Sequence, residues 1–214
     1  MSIIEYDLEN EKVKYLIETD EKLGKLIKFI KQANIIIEED GFKCIVKYII
    51  GQQISDKARE TIWQRICKEI VPLTPEKVLT VSIIDFRNYG LSERKIIYIK
   101  SLAQAIVNKE IDFDTFPLLS NAEIIKKLTS VKGIGMWTAE MYLIFSLGRE
   151  NVLSKSDGTI RRTIQWMYSL DNLPTEIELD NYFKNWKNYA TIVSTFLWKS
   201  IELGLTKEPF DEII

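Results

Sequence analysis

Apolar residues recur every three or four positions along most of the chain, the period of helices with one buried face. Val13, Leu16, Ile17, Leu23, Leu26, Ile27 and Ile30 predict helix over 11–31, with Gly24 a place where it can break in two. Phe42, Ile45, Val46 and Ile49 predict a second helix, to Ile50. Gly51-Gln52-Gln53 then interrupts the pattern, and Ser55 or Asp56 can cap the next helix. In that helix Ile54, Ala58, Ile62, Ile66 and Ile70 fall four apart, and Pro72 and Pro75 end it. Thr74-Pro75-Glu76-Lys77 starts another, with proline in its first turn, and Gly90 closes that unit. Ser92 opens a helix whose inner stripe is Ile96, Ile99, Leu102, Ala103 and Ile106.

Ser120-Asn121-Ala122-Glu123 has capping-box spacing ahead of Ile124, Ile125 and Leu128. A tight Val131-Lys132-Gly133-Ile134-Gly135 turn leads into a strongly apolar helix, Thr138 to Leu147, and Gly148 ends it. A short loop comes next, then a helix from Asp157 to Tyr168 and one carrying Leu179, Tyr182, Phe183 and Trp186. The last long helix covers about 189–203, with Ile192, Val193, Phe196, Leu197 and Ile201 inward. Ile35 to Ile37 is a short apolar link that could be extended. Strict alternation nowhere runs beyond a few residues, so the pattern predicts an all-α protein.

The 133–135 turn is the first place where chemistry changes the picture. Glycine needs no Cβ clearance, so Gly133 and Gly135 can take positive φ and let another molecule approach the backbone. The amides that open the next helix lie at the positive end of its dipole, which suits a phosphate. A plain tight connection between helices satisfies the same pattern.

At 214 residues the chain can bury a core without staples. Its 29 basic and 31 acidic residues give a net charge of −2, so nucleic-acid contact must use a local patch or backbone amides. No apolar run reaches the roughly 18 residues of a membrane span, and no basic stretch precedes an apolar core as in a signal peptide; a cytoplasmic protein is expected. With no histidine, a histidine triad and a His-ligated metal are excluded. Cys44 and Cys67, in apolar helical contexts, are expected to be reduced core thiols. Two cysteines cannot supply the four thiolates of an iron-sulfur cluster.

Several blocks together resemble the helix-hairpin-helix (HhH-GPD) superfamily of base-excision DNA glycosylases, in particular the 3-methyladenine DNA glycosylase II type. They are Ile50-Gly51-Gln52-Gln53-Ile54-Ser55, Gly90-Leu91-Ser92 with Lys95, Lys132-Gly133-Ile134-Gly135-Met136-Trp137-Thr138-Ala139-Glu140, and Asp157 with Arg161-Arg162. A weaker block runs from Trp186 to Trp198 and keeps Tyr189. The resemblance implies two helical lobes with a DNA-binding cleft, without the extra N-terminal β domain that some members carry. One lobe would be 1–43 plus 156–214, the other 44–155, holding the helix-hairpin-helix at about 124–147.

It also implies roles. Asp157 would be the catalytic carboxylate, since cleaving an N-glycosidic bond builds positive charge on the sugar; it could also orient or deprotonate the attacking water. Residue chemistry alone favours a plain N-cap, or an i,i+4 partner for Arg161, since capping Asp is common. Relatives commonly carry a second acid where Ser156 stands. Trp137 replaces the lysine that lyase-type relatives use to form a Schiff base, which implies a monofunctional hydrolase. Trp137, Tyr189 and Met141 would line the pocket for a flipped base, where aromatic faces favour cationic alkylated purines; core packing is the other role for the two aromatics. Gln53 would enter the gap left by the flipped base, or be a solvated loop residue. Lys132, Gly133, Gly135 and Trp137 would hold DNA phosphates. The carbonyls of Thr129, Val131 and Ile134 would bind a monovalent Na+ or K+, with no other cofactor required. The implied partner is double-stranded DNA containing damaged bases, bound by a monomer. Deaminated or oxidised bases as substrate, and a non-catalytic DNA-binding module, are the alternatives.

Overall fold

The computed structural model describes residues 2–214, apart from the side chain of Lys187. The chain divides into two compact units. One takes the chain up to Ile37 together with Gly148–Ile214, and the other is Glu38–Leu147. The crossings fall at 37/38 and 147/148, where the resemblance predicts 43/44 and 155/156.

The helical expectation holds, with one addition: a small antiparallel sheet. Strand β1 (Ser2–Asp7) pairs with the later strand β2, from Ser2 opposite Ile37 to Asp7 opposite Gln32. Between them lie α1 (Glu11–Thr19) and α2 (Glu21–Ile30). The break predicted near Gly24 falls instead at Asp20, whose carboxylate accepts from the Leu23 amide and so caps α2. Gly24 lies inside α2 for a different reason: a Cβ there would stand 2.5 Å from the Ile17 carbonyl of α1. Strand β2 (Gln32–Ile37) buries Ala33, Ile35 and Ile37 and exposes the residues between them.

In the second unit, α3 (Gly41–Gly51) is buried along most of its length, capped by Asp40 and centred on Ile45, Ile49 and Ile50. Helix α4 (Asp56–Glu69) comes next, capped by Ser55, then α5 (Pro75–Thr80), α6 (Ile83–Asn88) and α7 (Glu93–Val107). After a 3-10 turn at Phe113–Leu118, α8 (Asn121–Thr129) and α9 (Met136–Phe145) form the hairpin. The predicted capping box is present: Ser120 Oγ accepts from the Glu123 amide, and Glu123 Oε2 accepts from the Ser120 amide at 2.8 Å. Cys44 is buried and Cys67 half-buried, and both are free thiols.

The first unit resumes with α10 (Gly158–Tyr168), α11 (Glu176–Trp186) and α12 (Ala190–Glu202), and ends in α13 (Phe210–Ile213). Helix α12 runs through its core, with Ile192, Val193, Phe196 and Leu197 fully buried. Ile201, predicted inward, is 38% exposed. The buried hydroxyls of Ser194, Thr195 and Ser200 donate to carbonyls of their own helix, so none is an orphan donor. Among the described residues no helix is long and apolar enough to cross a membrane.

Candidate functional site

In the second unit the hairpin turn is built on close packing. Gly133 takes φ +93°, and a Cβ there would lie 2.0 Å from the Tyr98 ring of α7. The turn therefore needs glycine at this position both for its dihedral and for space. Gly135 departs from the expected positive φ. It is extended (φ −92°, ψ 178°) as the N-cap of α9, and a Cβ there would meet nothing within 4 Å. No side chain caps α9, so the space in front of its first turn is open to a ligand. Lys132 is exposed beside it. The Val131 amide donates to the Leu128 carbonyl, and the Ile134 amide to the Val131 carbonyl, both at 3.1 Å. Thr129 closes α8, its hydroxyl donating to the Ile125 carbonyl at 2.7 Å.

The connection from α3 to α4 is tied to this turn. Gln52 Nε2 donates to the Gly133 carbonyl and to Thr138 Oγ1, both at 3.1 Å. Gln52 has φ −54° and ψ 122°, Gln53 has φ +58°, and the Ile54 amide donates to the Gly51 carbonyl at 3.3 Å. These are the dihedrals of a type II β-turn, whose third position favours glycine. Gln53 stands at that position, exposed, with Arg94 Nη2 donating to its Oε1 at 3.1 Å. Lys95 is 8% exposed and donates to the Ile50 carbonyl at 2.6 Å, holding the end of α3. Desolvation, with Arg94 alongside, lowers its pKa below that of a free lysine.

Trp137, in the first turn of α9, meets Tyr48 edge-on at 5.8 Å between ring centroids. Tyr48 in turn stacks on Phe145 at 5.3 Å and carries the Arg59 guanidinium 5.7 Å from its ring centre. Asp56 pairs with Arg59 at 2.9 Å. Met141 is only 2% exposed. Tyr48, Tyr98, Arg59 and Arg94 lie outside the sequence-derived site. Tyr48 reads as one more apolar position of α3, and the other three are brought in by neighbouring helices.

In the first unit, Asp157 is the N-cap of α10 and 7% exposed, and its Oδ1 accepts from the Thr159 amide at 2.7 Å and the Ile160 amide at 3.1 Å. The loop that delivers it is pinned to α12. Thr191 Oγ1 donates to the Arg149 carbonyl at 2.7 Å and accepts from the Val152 amide at 3.1 Å, while the Thr191 amide donates to the Glu150 carbonyl at 2.9 Å. Glu150 pairs with Lys12, and Lys155 with Asp180 at 2.5 Å. The i,i+4 pairing considered for Arg161 gives way to another contact: its Nε donates to the Pro174 carbonyl at 2.9 Å. Arg162 leans over Gly158, whose Cβ would lie 3.2 Å from Nη1. Tyr189, at the entry to α12, meets Tyr15 edge-on at 5.7 Å.

The second unit thus offers an uncapped helix start, an aromatic cluster and a strained exposed amide. The first offers a carboxylate fixed at a helix start. Among the described residues no group of three or more His, Cys, Asp or Glu could hold a metal ion.

The chain as a whole is similar to known proteins. The family model described as HhH-GPD superfamily base excision DNA repair protein matches residues 46–188. DNA-3-methyladenine glycosylase 1 of Schizosaccharomyces pombe is 30% identical over 196 residues, spanning 90% of this chain and 86% of that protein. A crystal structure of DNA-3-methyladenine glycosidase from Bacillus halodurans superimposes with a TM-score of 0.82 at 30% identity, covering 98% of each chain. The S. pombe 3-methyladenine DNA glycosylase in complex with abasic DNA gives 0.83 at 29% identity, over 90% of this chain and 97% of that one. The chain belongs to the HhH-GPD superfamily of base excision DNA repair proteins.

Proposed function

We propose that this protein is a monofunctional DNA glycosylase that hydrolyses the N-glycosidic bond of alkylated purines such as 3-methyladenine and 7-methylguanine. The carrying observation is Asp157, a carboxylate fixed by two backbone amides at the start of α10. The names of the S. pombe and B. halodurans relatives support the substrate class.

As the bond to the base lengthens, positive charge grows on the sugar, and the carboxylate stabilises it electrostatically. Helix capping fixes the side chain's rotamer, so little reorganisation accompanies the reaction. The same carboxylate orients the attacking water. Trp137 cannot supply an amine, so no imine forms and the strand stays intact at the abasic product. Trp137 and Met141 would receive the flipped base, and Gln53 would enter the gap in the duplex. The phosphates would lie on the amides of Gly133, Gly135 and Trp137, with Lys132 adding charge. The carbonyls of Thr129, Val131 and Ile134 suit a monovalent Na+ or K+. Val131's oxygen takes one amide donor and has a second lone pair. A cation there would balance phosphate charge at the turn. The partner is damaged double-stranded DNA, met in the cytoplasm by a monomer.

Incubation with methylated genomic DNA, with the freed bases identified by mass, tests the reading. Release of 3-methyladenine and 7-methylguanine is expected. Release of uracil or 8-oxoguanine alone from matched duplexes would replace the substrate class. Borohydride should trap no enzyme–DNA adduct; a trapped adduct would refute the monofunctional mechanism.

A further inference from the structure

Helix α7 sends two consecutive cations to the Gly51–Ile54 turn. Lys95, buried, holds the Ile50 carbonyl at 2.6 Å, while Arg94, on the surface, holds Gln53 Oε1 at 3.1 Å. Gln53 keeps a side chain at a turn position with φ +58°, where glycine would be unstrained. Its neighbour Gln52 is tied to Gly133 and Thr138. The backbone beneath Gln53 is therefore fixed from several sides, and Arg94 fixes the amide at its tip.

A guanidinium carries N–H donors and no acceptor, so the amide atom facing it must be the oxygen. That polarity leaves Nε2, with its two N–H groups, as the end directed away from Arg94. We propose that Arg94 is a positioning residue that presents Gln53 as a hydrogen-bond donor to the base left unpaired opposite the lesion, and so biases which opposite base is accepted. The proposal rests on the reading of Gln53 as the side chain that enters the gap. On its pairing edge cytosine offers adjacent N3 and O2 acceptors, and thymine two carbonyl oxygens around one N–H. Adenine offers one ring nitrogen, and guanine one carbonyl beside two donor groups. A donor end matches cytosine best and guanine least.

The probe is a duplex carrying a tetrahydrofuran abasic analogue opposite each of the four bases, titrated with the full chain. Wild type is expected to bind about three- to ten-fold tighter opposite cytosine than opposite guanine, the range of one neutral hydrogen bond. Arg94→Ala should flatten that ratio, Arg94→Lys should retain most of it because it keeps a donor, and Gln53→Leu should abolish it. Arg94 and Gln53 are both exposed, so folding should survive each change. If Arg94→Ala weakens all four duplexes equally and makes the salt dependence shallower, Arg94 is a phosphate contact and the proposal is overturned. Equal wild-type affinity for the four, still tighter than for intact duplex, overturns the role of Arg94 and leaves the repair reading standing. A wild type that does not distinguish abasic from intact duplex overturns both.

Discussion

Helix α9 begins at Gly135 with no side chain over its first turn, whereas α10 begins at Asp157, whose own carboxylate accepts from the first free amides. Both starts carry the partial positive charge of a helix N-terminus. At α9 that charge faces open space where even a methyl group would touch nothing, which suits an incoming phosphate. At α10 the charge is matched by an internal anion, held nearly buried in one rotamer. One helix start thus leaves its partial positive charge open, and the other meets it with its own carboxylate. Under the proposed function, the first would meet a DNA phosphate and the second the cationic sugar.

The sharpest way to break this comparison is to neutralise the α10 anion without removing its cap. Asn is as good an N-cap as Asp, so Asp157→Asn should leave thermal stability within about 1 kcal/mol. Base release should fall about 100- to 1,000-fold, the scale of losing one preorganised electrostatic contact. Single-turnover release beside a melting curve reads both, and unchanged release would reduce Asp157 to a cap.

Next in size is the pair of turn glycines. Gly133→Ala should destabilise the fold by about 2–4 kcal/mol, from overpacking against Tyr98 plus left-handed strain. Gly135→Ala should melt like wild type, since its backbone is extended and its surroundings are open. Any effect of Gly135→Ala should appear in DNA affinity alone. Equal melting of the two variants would contradict the geometry of the turn.

Smaller still is Lys132→Ala. If this lysine meets one phosphate, the slope of log affinity against log salt should drop by about 0.9, and binding should weaken uniformly across sequences. An unchanged slope would leave phosphate binding to the backbone amides. The smallest change expected is in the stability of Gln53→Gly. Relief of left-handed strain, about 1–2 kcal/mol, should exceed glycine's entropic cost of about 0.5–1 kcal/mol. The variant should therefore melt slightly higher while releasing bases more slowly. A variant that gains stability and loses no activity would make Gln53 an ordinary turn residue.

Much of this comparison is legible in the order of residues. Helix starts are local events, decided by a capping side chain and the next few amides, so Asp40, Ser55, Thr74, Ser120 and Asp157 stand where caps are found. The turn at Gly133 announces itself by its glycines, although only Gly133 uses a positive φ. The break in the first helical stretch is harder to place, because Gly24 looks like a breaker while Asp20 does the capping. The sheet is hidden in the run Gln32–Ile37, whose partner strand lies at the other end of a helical pair.

By itself the sequence determined what depends on neighbours a few residues apart: helical period, caps, glycine-bearing turns, and the absence of histidine and of a cluster's worth of thiols. Tertiary structure alone decided the long-range contacts. It placed Tyr98 over Gly133, Gln52 under the hairpin, Tyr48 against Trp137, and Arg94 on the amide of Gln53. Such contacts form between helices whose facing surfaces are set by packing across the whole unit. No local spacing encodes which arginine reaches which amide.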